Sequence, residues 1–113
     1  MSEHIKIHKA GGKWVVRAGG AILGESADAL ELNEGEYKPV IYFPRDDVAM
    51  AFLDQSEQSS HCPHKGDAKY YSIQTKSEVL KNAVWSYENP VKSVGQIKDY
   101  MAFDPALVTV EEL

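Results

Sequence analysis

Two glycine pairs near the start of the chain, Gly11-Gly12 and Gly19-Gly20, constrain the fold more than any other feature of the sequence. Lacking a Cβ, glycine adopts the positive φ values that tight hairpin turns require, so glycine pairs between short apolar segments signal antiparallel strands. The flanking segments agree: Ile5 and Ile7 alternate with polar neighbours, Lys13 to Arg17 carries Trp14 and Val16, and Ala21 to Leu23 follows the second pair. This beginning predicts a meander of short strands. Ser26 to Leu32 reads as extended because Leu30 and Leu32 alternate, although Ala27, Ala29 and Leu30 would also suit a helical turn. Asn33 to Lys38, polar and containing Gly35, reads as a loop.

The run Pro39-Val40-Ile41-Tyr42-Phe43-Pro44 is a β-branched and aromatic strand closed by a proline that cannot donate to a ladder. Asp46 or Asp47 could then accept from the open amides of a helix start, and Val48 to Leu53 supplies an apolar face for about two turns. Asp54 to Ser60 is a polar connection to His61-Cys62-Pro63-His64-Lys65-Gly66-Asp67, where Pro63 and Gly66 oppose a regular element. Strands are expected again at Tyr70 to Ile73, at Ala83 to Tyr87 before Asn89-Pro90, and at Leu107 to Val110. Ile97 to Phe103 suits either a short helix or a strand. No repeat, linker or low-complexity segment divides the chain, so residues 1–113 are expected to form a single, mainly β domain.

Composition supports an ordinary core: 43% of residues are apolar, with two Trp, six Tyr and three Phe. A single cysteine rules out an internal disulfide and points to a reducing compartment, the cytoplasm by default. No run approaches the ~18 apolar residues that a membrane helix needs, so no membrane partner is expected. A net charge of -5, with Arg17 and Arg45 as the two arginines, argues against a nucleic-acid partner, whose phosphates demand clustered positive charge. The same charge leaves room for a small anionic molecule, because a local field can oppose the global one.

The chemically capable groups concentrate in the central heptapeptide. Cys62 beside a cation could act as a nucleophile, His61 or His64 could move a proton, and Lys65 could hold an oxyanion. Adjacency does not guarantee convergence: in an extended segment consecutive side chains leave on opposite faces, so His61 and Cys62 would diverge. Cys62 therefore stands between three readings, as nucleophile, pocket wall or buried structure. His61, Cys62 and His64 lack the separated ligand pairs of a structural zinc site, and neither a metal nor another cofactor is expected. Arg45, at a strand end before Asp46-Asp47, could offer a planar fork to a phosphate or carboxylate, or simply pair with a neighbouring aspartate. Tyr42, Tyr70, Tyr71, Trp85 and Tyr87 sit in expected strands, where most pack in the core and one or two could line a pocket. No phosphate-binding loop, dinucleotide fingerprint or G-x-S-x-G context occurs.

Read in order, Glu25-Ser26, Ala29-Leu30, Pro39 to Val48, Cys62 to Ala68, Tyr70-Tyr71 and Asn82 to Tyr87 resemble the family known as domain of unknown function 427. The shared pattern is E-S-x-x-A-L, P-V-x-Y-F-P-R-x-D-V, C-P-x-K-G-x-A-x-Y and N-A-x-W-x-Y, covering roughly residues 13 to 110. The resemblance implies a small antiparallel β-tent or Mss4-like domain with one or two short helices. Signature positions Tyr42, Arg45, Asp47, Cys62, Lys65, Gly66, Tyr70 and Trp85 carry over, without an established reaction to accompany them. Zinc-bearing members of the wider fold use two cysteine pairs, which this chain lacks. The family also carries a nucleotidyltransferase-like label, but no carboxylate set for metal-assisted nucleotidyl transfer is evident here.

These observations lead to an expected small-molecule binding or sensing domain, with an anionic metabolite held by Arg45 and Lys65 and walled by Tyr42, Tyr70 and Trp85. Two alternatives stand beside it: a Cys62-dependent enzyme assisted by His61 or His64, and a structural or regulatory interaction module. A homodimer formed over sheet edges is compatible with any of the three.

Overall fold

A computed structural model describes residues 4–113. Among the described residues, ten strands build two antiparallel sheets. The strands are β1 (Ile5–Lys9), β2 (Trp14–Ala18), β3 (Ala21–Ser26), β4 (Leu30–Glu34), β5 (Val40–Phe43), β6 (Leu53–Cys62), β7 (Gly66–Gln74), β8 (Val79–Ser86), β9 (Met101–Phe103) and β10 (Thr109–Glu112). The larger sheet runs β1-β4-β5-β9-β8-β7-β6, and the smaller runs β10-β2-β3. With two open antiparallel sheets and only short 3-10 turns between strands, the domain has the mainly β, tent-like architecture expected. No helix among the described residues is long and apolar enough to cross a membrane.

All four glycines of the two pairs have positive φ, and the second pair joins β2 to β3 in the expected hairpin; the first instead carries the chain from β1 in the large sheet to β2 in the small one, so the expected meander is broken there. Buried side chains gather in two clusters. One lies between the sheets and joins Val16 and Leu23 of the small sheet to Phe43, Val84, Met101 and Phe103 of the large one. The Phe43 and Phe103 rings meet edge to face, with centroids 5.7 Å apart. The other cluster covers the large sheet with Ile5, Leu32, Tyr42, Tyr87 and Ala102, roofed by Val94 and Ile97 from the 3-10 segment Lys92–Ile97.

Two local expectations need correction. Val48 to Leu53 does not form a two-turn helix; short 3-10 turns occupy Arg45–Asp47 and Met50–Phe52 instead. The backbone is claimed by the small sheet: Gly24 forms a bridge with Val48, and the Ala49 N–H donates to the Leu23 carbonyl at 2.7 Å. Neither Asp46 nor Asp47 caps a helix; Asp47 accepts a hydrogen bond from the buried Ser26 hydroxyl at 2.6 Å. The polar stretch Asp54 to Ser60 is likewise no loose connection but most of β6, which among the described residues is an edge strand beside β7. Its polarity suits an edge exposed to water. The turn of the central heptapeptide is confined to Pro63, His64 and Lys65, since His61 and Cys62 end β6 while Gly66 and Asp67 begin β7.

Candidate functional site

The ladder sorts the candidate residues by face. Tyr70 pairs with Trp85, Trp85 with Ala102, and Ala102 with Tyr42, so these positions share one side of the large sheet. Lys69 pairs with Ser86 and Tyr71 with Val84, one residue out of step and therefore on the opposite side. The hairpin joining β6 to β7 continues the alternation: Cys62 pairs with Gly66 and Ser60 with Ala68, whereas His61 pairs with Asp67.

On the first side Tyr42, Tyr70, Trp85 and Tyr87 wall a cavity of about 340 Å³, with Lys65 and Glu34 among its polar lining. The Lys65 ammonium donates to Glu34 at 2.6 Å, and both side chains are largely buried, at 12% and 18% exposure. Burial opposes both charges, yet Glu34 and the neighbouring Cys62 hold the Lys65 ammonium above its ordinary pKa. Burial would likewise raise Glu34, but Lys65 and then His4 hold its carboxyl below the ordinary glutamate value. Burial pushes the Tyr42 phenol well up, against the hydrogen bond that it accepts from the Trp85 indole N–H at 3.3 Å. Tyr87 is pushed up in the same way, first by burial and then by the nearby Cys62. Tyr70 exchanges a hydrogen bond with the Ser60 hydroxyl at 3.0 Å. At the rim stand Lys38 and Tyr37, the latter 78% exposed.

The loop is held where Lys65 needs it. The Lys65 N–H donates to the Cys62 carbonyl, and the Lys65 carbonyl accepts from the Val91 N–H at 2.9 Å. Gly66 then leaves the turn with φ of +114°, a conformation that side chains disfavour. His64 reaches the flank of this face, where its ring meets that of His4 edge to face at 4.5 Å; His4 lies 3.5 Å from Glu34.

The second side carries Arg45 and His61. Arg45 donates to the Tyr71 hydroxyl at 3.3 Å, to the Ser86 hydroxyl at 3.4 Å, to Glu88 at 3.4 Å and to the Asp99 carbonyl at 3.4 Å. Its guanidinium also lies 5.8 Å from the Tyr71 ring centre. Burial works against the charge, but Tyr71, Glu88 and Asp99 together raise the Arg45 pKa. Glu88 accepts from Tyr71 at 2.9 Å and pairs with Lys69 at 3.2 Å; burial would raise its carboxyl, and these partners with Arg45 depress it. His61 is paired with Asp67 at 2.7 Å in an exposed position.

The structure therefore brings Cys62, Lys65, Tyr42, Tyr70 and Trp85 to one face, with His64 at its flank, and places Arg45 and His61 behind the sheet. Arg45 and Lys65 do not converge, and His61 and Cys62 diverge as strand alternation requires. Sequence reasoning named Tyr87 among the strand aromatics without assigning it to the cavity wall, and it omitted Glu34 there and Glu88 and Tyr71 as partners of Arg45. A signal for Tyr87 was present, because W-x-Y places Trp85 and Tyr87 two residues apart on one face. Glu34 has no such signal: it comes from β4, remote in sequence from Lys65. Among the described residues no group of three or more His, Cys, Asp or Glu side chains could hold a metal ion.

The fold and this face define the class as a β-tent domain with an aromatic cavity beside a CPxKG hairpin. The chain belongs to the family described as a domain of unknown function, DUF427, whose model matches residues 6–112. No curated protein matches the chain.

Proposed function

We propose that the protein is a small-molecule binding domain whose Lys65 face receives an anionic metabolite. The observation that carries this reading is a largely buried ammonium opening on a cavity of about 340 Å³ walled by Tyr42, Tyr70, Trp85 and Tyr87. That volume falls in the range of about 300–1,000 Å³ common for small-molecule sites. An ammonium has three donors. Glu34 engages one of them and Cys62 a second, which leaves Lys65 one donor for a ligand oxygen while its charge stays compensated. Arg45, with four hydrogen bonds to internal partners on the other side, acts in this reading as a strut for the sheet end rather than as a second ligand contact.

Isothermal titration with a panel of small carboxylates, phosphates and their neutral amides tests the proposal. A hydrogen bond to a charged group contributes about 1.5–3 kcal/mol, so Lys65→Met is expected to weaken an anionic ligand by roughly 10- to 100-fold. Arg45→Met should leave the affinity unchanged once its stability is matched by lowering the temperature. Loss of binding in Arg45→Met with retention in Lys65→Met overturns the assignment.

A second reading is favoured by the contact of the free thiol Cys62 with Lys65: a Cys62-dependent enzyme acting on a ligand in the same cavity. In that case His61, on the opposite face, does not serve as its base. Intact-mass analysis after iodoacetamide treatment of the native protein separates the two, since an unmodified Cys62 removes the enzyme. A reducing cytoplasm suits this lone thiol. The exposed edge β6 is the surface through which a homodimer would form, and light scattering at two protein concentrations reads that state.

A further inference from the structure

A second cavity, of about 380 Å³, adjoins the first. Lys38, Val40 and Trp85 line both. The character changes across this shared wall: beyond it stand Trp14, Ile41, Phe103, Pro105 and Val110, contributed by both sheets, with Glu31 as the one acidic residue. Trp85 divides the two, turning its indole N–H to Tyr42 on the Lys65 side. A charged half and an apolar half, meeting at one indole, make the lining of an elongated amphipathic site.

We infer that the two cavities take one ligand: an organic monocarboxylate with an unbranched or flat apolar tail, its carboxylate at Lys65 and its tail running past Trp85 into the space between the sheets. This rests on the Lys65 reading proposed above and adds the ligand class. The formal charges around the first cavity balance, Lys38 and Lys65 against Glu34 and Asp104, so each further negative charge on a ligand adds repulsion and a monoanion at Lys65 is favoured over a dianion. The apolar half supplies the discrimination by length, because each methylene buried from water contributes about 0.8 kcal/mol, close to a fourfold gain in affinity.

The test titrates the full chain with straight-chain acids from acetate to decanoate, with decanol as the uncharged control. Binding is read by calorimetry and by the indole N–H resonances of Trp14 and Trp85, which both line the second cavity. The expected result is affinity rising about three- to fourfold per methylene over the middle of the series, shifts of both indoles with the long acids, and binding of decanol at least tenfold weaker. Val110→Trp, which fills the second cavity from β10, should abolish the dependence on length while leaving short acids bound as before; Val110→Phe serves if the larger ring unfolds the protein. Short acids that bind with no gain along the series overturn the two-cavity ligand and leave the Lys65 reading standing. No binding of any acid also overturns the inference, and the carboxylate and phosphate panel above then decides the Lys65 reading separately. A length dependence that survives in Val110→Trp and Val110→Phe also overturns the inference, because the tail would then lie elsewhere.

Discussion

Lys65 and Glu34 show how one largely, not fully, buried ion pair sets the chemistry of a face. Each charge loses hydration on burial, and each is retained because the other compensates it at 2.6 Å. The depressed Glu34 pKa has a definite consequence for stability. A carboxyl held below its unfolded value contributes stability above that value and loses it as the pH falls through the folded one. Acid should therefore destabilise the native chain more than Glu34→Gln when melting temperatures are compared between pH 7 and pH 3. In a double-mutant cycle at pH 7, Glu34→Gln and Lys65→Met should show a coupling of about 0.5–3 kcal/mol, as contacting residues do. Equal acid sensitivity in the native and Glu34→Gln chains would mean that the pair contributes nothing net. Residue identity made Lys65 and Cys62 legible as candidates from the sequence alone, but not the partner: Glu34 comes from a strand that only the folded sheet brings near. Arg45 shows the converse. Its charge was visible, but the chain leaves the sheet at Pro44, and no strand periodicity indicates which face the next side chain will reach.

At the scale of elements, the hairpin between β6 and β7 positions Cys62 and Lys65, and Gly66 is its critical joint. At φ of +114° an added Cβ is strained, and it would meet the Asn89 carbonyl oxygen and Pro90 Cα at 3.4 Å. Gly66→Ala should cost more than about 1 kcal/mol in denaturant unfolding, and it should disturb Lys65 before it disturbs the distant sheet β10-β2-β3. Amide exchange by NMR can distinguish a local loosening of residues 62–66 from a uniform loss of protection. Strands with apolar alternation were legible for a plain reason: β-branched and aromatic residues suit a pleated, half-buried surface. β6 was not, because an edge strand facing water needs no apolar pattern. The helix expected over Val48 to Leu53 failed for the opposite reason. Of its apolar residues, Val48 and Leu53 are buried in the packing between the sheets while Ala51 and Phe52 are exposed, and tertiary pairing took the backbone.

The whole molecule depends on the apolar layer where the two sheets meet. Phe43 is fully buried there, and its ring meets Phe103 edge to face. Phe43→Ala should cost about 3–5 kcal/mol, the range for truncating a buried aromatic side chain. Because both sheets share this layer, circular dichroism and tryptophan fluorescence should report one coincident transition for the native chain, as expected of small single domains. Separate transitions would mean that the three-stranded sheet melts independently.

Tyr70 and Tyr71 stand side by side in β7 yet serve different surfaces, the first on the Lys65 wall and the second on the Arg45 network. The strand thus interleaves two texts, odd letters read from one side and even letters from the other. Substitution can revise either text without touching its companion. Deleting a single residue between Ala68 and Tyr71 would instead shift the reading frame of the strand and offer each surface the other's side chains. Variation in this stretch is consequently confined to changes of letter, and changes of length must be absorbed at the hairpin tips.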